Sequence, residues 1–205
     1  NNNIDISTSF LGISVGSGGD LLISDNTIHT EGEGISANDA DYSIVSGNIL
    51  ELNGTSYAID MPYCDNCEFS LNTIENPNGN GINGEASQNS VYAGNILTVN
   101  YNGMYLNSGD SLEVDGNTIT GFKTYGVYFS STENSTFTDN ILISTEINEQ
   151  TNYGFYNTTS NSNAIITNNS IDLLDAEDYN YGIRATNAHI EGNSITISSG
   201  DDYNY

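Results

Sequence analysis

An asparagine followed two residues later by Ile or Leu recurs nine times along the chain, at intervals of 22 to 29 residues. The copies begin at Asn2, Asn26, Asn48, Asn72, Asn95, Asn117, Asn140, Asn169 and Asn193. A period of this length is typical of repeat architectures, in which each unit buries its apolar side only against its neighbours. The period therefore constrains the fold more strongly than any local pattern.

Two further columns of residues recur with the same period as the asparagines. One pairs a small residue with an apolar one, beginning at Gly12-Ile13, and the other places an apolar residue three positions before each asparagine, beginning at Ile23. Apolar and polar residues alternate around these positions, as in half-buried strands. The pattern predicts three short strands per repeat, each stacked on its equivalent one repeat away at about 4.8 Å.

The Gly/Asp-Asn-x-Ile and Tyr-Gly-Ile/Val columns resemble the repeats of the right-handed parallel β-helix proteins of the pectin-lyase-like superfamily, which includes NosD-type and adhesin-like surface proteins. The resemblance covers nearly the whole chain. It implies an all-β fold, a single-stranded right-handed parallel β-helix of about eight coils with 22–29 residues and three short strands each, over residues 1–205 as one domain. Lyases, hydrolases, adhesins and structural fibres share this fold, so the resemblance does not decide the activity.

The residue before the repeat asparagine is usually one that tolerates a left-handed backbone conformation. These residues are Asp25, Gly47, Gly94, Gly116, Asp139, Asn168 and Gly192. We expect a sharp bend at each and a ladder of asparagine amides from coil to coil. The asparagines are therefore predicted to be structural rather than catalytic.

The charge balance excludes several partners. Asp and Glu together number 27, whereas Lys and Arg together number two, which gives a net charge of −25. Such a chain cannot neutralise phosphates, so nucleic acid and anionic membrane surfaces are not expected partners. The sequence contains no run of about 18 apolar residues, so membrane insertion is not expected. We expect an extracellular or cell-surface protein.

In the superfamily that the chain resembles, lyases use a basic residue beside calcium-binding acids, and glycosidases use clustered Asp with Arg, Lys and His. The basic and imidazole side chains here are Lys123, Arg184, His29 and His189. None lies in a motif of those families. Glu51 and Glu75 occupy outward positions on adjacent coils, about 5 Å apart, like a paired-carboxylate site. With no cation identified in register, we interpret them as a solvated acidic face and expect the protein not to be an enzyme.

No resident cofactor is expected, with calcium as the one candidate ion. Oxygen ligands that suit Ca²⁺ cluster at Asp172, Asp175, Glu177 and Asp178. No EF-hand loop or glycine-rich nonapeptide array accompanies them, so a solvated acidic loop is the alternative.

Cys64 and Cys67 are the only cysteines. Two cysteines without a histidine cluster lack the ligands of a structural zinc site. A local disulfide that braces the corner is expected in an oxidising compartment. Free thiols and a cross-link to a neighbouring molecule stay open as alternatives.

Outward positions of the second and third strands predict an interaction surface. The tyrosines at these positions, or just before the small residue, are Tyr57, Tyr105, Tyr125, Tyr128, Tyr153, Tyr156 and Tyr181. The outward apolar residues of the third strand are Leu22, Ile44, Val91 and Ile165. Arg184 continues the tyrosine column and can lie over a ring. Stacking on sugar rings and packing against another protein are both consistent with such a stripe, and scattered exposed groups are the alternative.

Three sequons are candidates for N-glycosylation, at Asn53, Asn134 and Asn157. A fourth, at Asn168, falls on a corner and is less suited. Asn, Ser and Thr are abundant enough for several sequons to arise by chance.

The chain begins on the asparagine column and stops where a further second strand would start, so we expect open end coils that neighbours complete. A fragment of a longer adhesin is the competing explanation. Our first hypothesis is a non-enzymatic secreted structural protein, a self-assembling subunit of a cell-surface filament, sheath or layer, whose partner is itself, head-to-tail or lateral. A carbohydrate-binding or adhesin module that binds surface glycans through the tyrosines is the alternative. A polysaccharide lyase or glycosidase ranks last.

Overall fold

A computed structural model describes residues 2–6, 10–144, 151–160, 162–174, 179–198 and 203–204. Within these ranges the regular elements are β-strands, three per coil, and each strand pairs in parallel with the equivalent strand one coil away. The predicted all-β parallel β-helix is thereby confirmed.

The strands form three parallel sheets. The first sheet, which follows the repeat asparagines, contains Asn3–Ile6, Thr27–Thr30, Ile49–Leu52, Thr73–Asn76, Ile96–Val99, Thr118–Thr120, Ile141–Ile143, Ser170–Leu173 and Ser194–Ile197. The second contains Ile13–Val15, Ile35–Ala37, Tyr57–Asp60, Asn80–Asn83, Asn102–Tyr105, Tyr125–Phe129, Asn152–Asn157, Tyr179–Ala185 and Tyr203–Asn204. The third contains Leu22–Ser24, Ile44–Ser46, Glu68–Ser70, Val91–Ala93, Glu113–Asp115, Thr136–Thr138, Ala164–Thr167 and Ala188–Glu191.

The core consists of apolar columns that run along the axis inside the three sheets. One coil contributes Ile74 from the first sheet, Ile82 from the second and Tyr92 from the third, all of them buried. The Tyr92 ring stacks on Phe69 of the preceding coil with their centroids 4.8 Å apart. Burial of each large side chain stabilises the fold by about 1.5–3 kcal/mol, but only while the neighbouring coil is in place.

The small-residue column of the second sheet marks close approach of successive coils. A Cβ on Gly103 would lie 2.4 Å from the Gly126 carbonyl oxygen and 2.4 Å from Ile119 Cγ2. Real Cβ atoms do not come this close to backbone. The stack therefore leaves space only for glycine at Gly103.

The repeat asparagines form a ladder of amide hydrogen bonds in the turn between the third and first sheets. The backbone N–H and the Nδ2 of Asn95 both donate to Asn117 Oδ1 at 2.9 Å. The same Nδ2 donates to the Phe69 carbonyl at 2.8 Å. Asn95 Oδ1 accepts from the backbone N–H and Nδ2 of Asn72, both at 3.0 Å. A fully buried amide is thus fully hydrogen-bonded, as buried polar groups must be.

The bend before each ladder asparagine from Asn26 to Asn193 is left-handed. Positive φ values of 53° to 69° occur at Asp25, Gly47, Leu71, Gly94, Gly116, Asp139, Asn168 and Gly192. Leu71 departs from the residue types that sequence reasoning assigned to these corners, and its side chain is 69% exposed. A left-handed conformation costs a residue such as leucine roughly 1–2 kcal/mol. The ladder on either side holds the corner in that conformation.

We predict that Asn95→Asp lowers the free energy of unfolding by about 3–5 kcal/mol, because the substitution removes two buried donors and adds a buried charge. Urea denaturation followed by circular dichroism at neutral pH measures the change. Asn38→Asp is the control, since the exposed Asn38 amide donates to the neighbouring Asp39 outside the ladder. A loss below about 1 kcal/mol for Asn95→Asp would contradict the role of the ladder.

Leu71→Asn should raise the free energy of unfolding by about 0.5–1 kcal/mol, because asparagine tolerates the left-handed conformation. Gly116→Leu makes the reverse change at an equivalent corner where an added Cβ meets no atom within 4 Å. It should lower the same free energy by about 1–2 kcal/mol. The two variants are compared by thermal and urea unfolding. Changes of the same sign would show that backbone conformation does not govern these corners.

Candidate functional site

Six tyrosines form a continuous surface on the second sheet, which we call the tyrosine ridge. Its members are Tyr105, Tyr125, Tyr128, Tyr153, Tyr156 and Tyr181. Parallel register sets them in two columns. The outer column is Tyr105, Tyr128 and Tyr156, and the inner column is Tyr125, Tyr153 and Tyr181. Sequence reasoning predicted these outward positions, and the structure brings all six together.

The rings of the ridge cover one another's faces. In the outer column Tyr128 stacks on Tyr105 and on Tyr156, with centroids 4.9 and 5.2 Å apart and ring planes within 8°. In the inner column Tyr153 stacks in the same way on Tyr125 and Tyr181, at 5.2 and 5.0 Å. Between the columns the rings meet edge to face, at interplanar angles of 61° to 80°. The surface is therefore made of phenol edges and hydroxyls, since most ring faces are already in contact with another ring.

Arg184 closes the ridge at its C-terminal end. It follows Tyr156 in the outer column. Its guanidinium carbon lies 5.2 to 5.8 Å from the ring centroids of Tyr153, Tyr156 and Tyr181. Arg184 Nη1 also donates a hydrogen bond to Tyr153 Oη at 3.0 Å. A cation over exposed rings contributes about 0.5–1 kcal/mol per favourable contact.

Two phenols of the ridge, Tyr105 and Tyr125, have a raised pKa and are neutral near pH 7. Burial, followed by the neighbouring phenols Tyr128 and Tyr153, raises the pKa of Tyr125 to about 12. Burial also raises the pKa of Tyr105, with Tyr128 as the next cause. A row of neutral hydroxyls can both donate and accept hydrogen bonds.

Tyr57 lies outside the ridge, against the prediction of one continuous stripe. Asn80 and Asn102 occupy the two coils between Tyr57 and Tyr125 in the same column, and Asn102 Nδ2 donates to Asn80 Oδ1 at 3.0 Å. Burial raises the pKa of Tyr57 to about 12. The asparagines replace ring contacts by amide contacts, so the aromatic surface begins at Tyr105.

A second polar group lies on the first sheet, where His29, Glu51 and Glu75 are in register on three successive coils. His29 Nε2 is 2.8 Å from Glu51 Oε2, and the two side chains are 39% and 54% exposed. The three residues line a cleft of about 370 Å³ together with Thr30 and Pro77. An imidazole beside carboxylates is suited to general acid–base chemistry.

Sequence reasoning found the adjacent carboxylates but overlooked the imidazole beside them. His29 stands in the same outward column one coil before Glu51, so the parallel register already contained the signal. The expectation of no cation in register did not take account of His29, whose Nε2 contacts Glu51 across the first sheet and which is a cation only when protonated.

The two cysteines lie together at a buried corner before the third sheet. Cys64 and Cys67 form a disulfide with Cα atoms 5.8 Å apart. Cys67 also joins a short chain of hydrogen bonds along the axis: its backbone N–H donates to Ser90 Oγ at 3.0 Å, and the Ser43 N–H donates to its Sγ at 3.4 Å. The disulfide thus braces a turn in the core, away from the ridge and the cleft.

The sequons separate into exposed and buried sites. Asn53 and Asn134 are exposed, and their glycosylation stays a prediction. Asn157 is fully buried; its Nδ2 donates to the Thr132 carbonyl at 3.3 Å, and its Oδ1 accepts from the Thr159 N–H at 3.0 Å. The expectation of a glycan on Asn157 was wrong, because its amide already serves as a structural contact between coils.

The calcium expectation falls mostly on residues whose structure is not described. Asp172 is half-buried on the first sheet between Ile143 and Thr196. Asp175, Glu177 and Asp178 lie outside the described residues. In the described part of the chain, no cluster of three or more His, Cys, Asp or Glu side chains could hold a metal ion. Calcium binding by this segment stays a prediction.

The outward apolar residues of the third sheet do not form the continuous interface that we expected. Leu22 and Ile44 are neighbours, 70% and 39% exposed. Glu68 and Glu113 flank Val91 on the adjacent coils. Ile165, the fourth of these residues, has Thr136 and His189 as its register partners. The charged and polar partners interrupt the predicted column, so only Leu22 and Ile44 make a shared patch.

The chain belongs to the family described as right handed beta helix region, whose sequence model matches residues 1–119 and 52–203. The predicted membership of the right-handed β-helix superfamily is thus confirmed. No curated protein matches the sequence.

Solved structures that are similar to the chain include an epimerase and an adhesin. The periplasmic alginate epimerase AlgG superposes with a TM-score of 0.69 at 14% identity, over 94% of this chain and 49% of the epimerase. The surface protein and adhesin PfbA of Streptococcus pneumoniae superposes with a TM-score of 0.50 at 9% identity, over 98% of this chain and 83% of the adhesin. The chain spans about half the length of the epimerase. At these identities the likeness shows the fold alone.

The expectation that the protein is not an enzyme must be corrected. An alginate epimerase, which is an enzyme, shares the fold of nearly the whole chain, and an adhesin shares it too. The scarcity of basic residues therefore does not exclude catalysis. The similar proteins are periplasmic or surface proteins, and the described residues include no helix long and apolar enough to cross a membrane.

Proposed function

We propose that the protein is a secreted carbohydrate-binding module whose tyrosine ridge holds a neutral glycan. The observation that carries the proposal is the in-register row of phenol hydroxyls along the second sheet. Parallel stacking repeats the same group once per coil, so the ridge is matched to a ligand with a repeated structure. An extended polysaccharide that lies along the axis has that property.

The chemistry of the ridge favours hydrogen bonding over ring stacking. Because the ring faces are in contact with each other, a sugar meets phenol edges and hydroxyls. Thr158 adds a further hydroxyl, since its Oγ1 donates to Tyr156 Oη at 3.1 Å. Sugar hydroxyls can donate to and accept from such a row. Arg184 extends the polar surface at one end.

The charge of the chain selects the class of glycan. A net charge of −25 repels polyuronates and sulfated chains at low ionic strength. A neutral polysaccharide meets no such barrier. The names of the similar structures, a surface adhesin and a periplasmic alginate epimerase, support a role outside the cytoplasm.

Self-assembly into a filament, sheath or layer stays a prediction that ranks below glycan binding. The lateral column that was expected to support it is interrupted by Glu68 and Glu113. Like charges brought together between copies would oppose association.

Removal of two ridge hydroxyls should weaken glycan binding by roughly 5- to 100-fold. Tyr128→Phe with Tyr156→Phe keeps the rings and their stacking but deletes two hydrogen-bonding groups, each contributing about 0.5–1.5 kcal/mol. A panel of neutral polysaccharides identifies the ligand, and isothermal calorimetry measures the affinity. The matched control is Tyr42→Phe with Tyr63→Phe, two exposed tyrosines outside the ridge. The proposal fails if no neutral glycan binds the wild type, or if the ridge variant binds as tightly as the control.

A second function, hydrolysis or another acid–base reaction of a polysaccharide, is favoured by the contact between His29 and Glu51 inside the cleft. Glu75 supplies a second carboxylate one coil away from Glu51. The two could divide the roles of acid and base.

Turnover of a polysaccharide should fall at least a hundredfold in Glu51→Gln and persist in Glu113→Gln, a control on the exposed face of the third sheet. Reducing-end release and absorbance of unsaturated products are the two readouts. A wild type inactive on a broad panel of neutral and acidic polysaccharides would retire this second function.

A further inference from the structure

We propose that the tyrosine ridge is a site of oxidative cross-linking, at which neighbouring coils become joined by dityrosine bonds within one chain. The proposal rests on ring geometry and is independent of glycan binding. Tyr128 is central to it, because its ring lies between Tyr105 and Tyr156 in the outer column and meets Tyr125 edge-on at 4.6 Å.

Ring proximity favours coupling inside the chain over coupling between chains. Two phenoxyl radicals must meet to form a carbon–carbon bond, and in solution this requires collision of two proteins. In the ridge, parallel register holds phenol rings with centroids 4.9 to 5.2 Å apart along each column. A reaction between groups held this close has a high effective concentration.

The solvent access and freedom of movement of the ridge side chains also favour cross-linking. All six side chains point out of the second sheet and are partly exposed, so an oxidant in solvent can reach their hydroxyls. The rings lie outside the core, so they are not locked in place by the close packing of the interior. Rotation about the side-chain bonds can bring the carbons ortho to the oxygens of stacked rings into bonding distance.

The reaction balances with hydrogen peroxide and a heme peroxidase as the oxidant. Each of two phenols loses one electron and one proton to give a phenoxyl radical. The radicals join at their ortho carbons, and each ring then transfers its ortho hydrogen as a proton to its own oxygen. The sum is two phenols and one hydrogen peroxide converted to one biphenol and two water molecules. Each link removes two hydrogen atoms from the chain.

Three other tyrosines provide internal controls. Tyr42, Tyr63 and Tyr101 are 63%, 52% and 44% exposed, so an oxidant reaches them readily. Among the described residues none of them has an aromatic ring contact of the kind seen in the ridge. If exposure alone decided the outcome, these residues would react by joining separate molecules.

The test is oxidation of dilute wild-type protein with peroxidase and hydrogen peroxide, followed by dityrosine fluorescence, gel electrophoresis and mass spectrometry of peptides. We expect monomeric product with linked peptides that join Tyr105 to Tyr128, Tyr128 to Tyr156, Tyr125 to Tyr153, or Tyr153 to Tyr181. The yield should not depend on protein concentration over a tenfold range. Links found only between molecules, or only at Tyr42, Tyr63 and Tyr101, would overturn the proposal.

Phenylalanine variants keep the stacking and remove the reactive oxygen. Tyr128→Phe should abolish both links of the outer column and leave those of the inner column. In the triple variant Tyr125→Phe, Tyr128→Phe, Tyr153→Phe no two remaining ridge tyrosines are in ring contact, so the fluorescence should fall by more than half. An unchanged circular dichroism spectrum verifies the fold of each variant. Undiminished fluorescence in the triple variant, or absence of dityrosine in the wild type, would overturn the proposal.

Discussion

The hydrogen-bonded asparagine ladder is the interaction on which the rest of the structure depends. Each internal amide serves two coils at once, because its oxygen accepts from the preceding asparagine and its nitrogen donates to the following one. A slip of a coil by one residue would leave buried donors and acceptors without partners, at a cost of about 1–3 kcal/mol for each group. The ladder therefore sets the register of the whole stack.

Register turns sequence repetition into surface chemistry. Equivalent residues lie directly above one another. A tyrosine repeated at one position therefore becomes the ridge, and His29, one coil before Glu51, contacts its carboxylate. The same rule constrains the interior, where small residues stack at Gly103 and Gly126 because neighbouring backbones leave no space. Core, ridge and cleft are thus consequences of one alignment, and a change in the ladder affects all of them.

The spacing of residues was sufficient to predict the coils, the three strands in each coil and the outward tyrosines. This succeeded because a stack in parallel register converts sequence distance directly into spatial neighbourhood. The cysteine corner and the adjacency of Glu51 and Glu75 follow from the same reasoning. The asparagine column also indicated the ladder. A side chain needs both a donor and an acceptor to hydrogen-bond to its equivalents on the preceding and following coils, and asparagine has both.

Features that depend on side-chain detail were not predictable in this way. The left-handed Leu71 looks unfavourable in isolation, and only the ladder on both sides of the corner holds it there. Asn157 has the sequence of a glycosylation site, but its strand continues to Asn157 and turns the amide inward. Column positions alone do not show that tyrosine rings cover each other's faces, because that outcome depends on how the side chains rotate.

Hydrogen exchange of the ladder amides, measured by nuclear magnetic resonance at residue resolution, tests the central claim most directly. If the ladder sets the register, the backbone N–H groups of Asn48, Asn72, Asn95, Asn117 and Asn140 should be among the slowest to exchange, with protection close to the full free energy of unfolding. Exchange of these groups as fast as that of exposed corner residues would show that the coils are held together by other contacts.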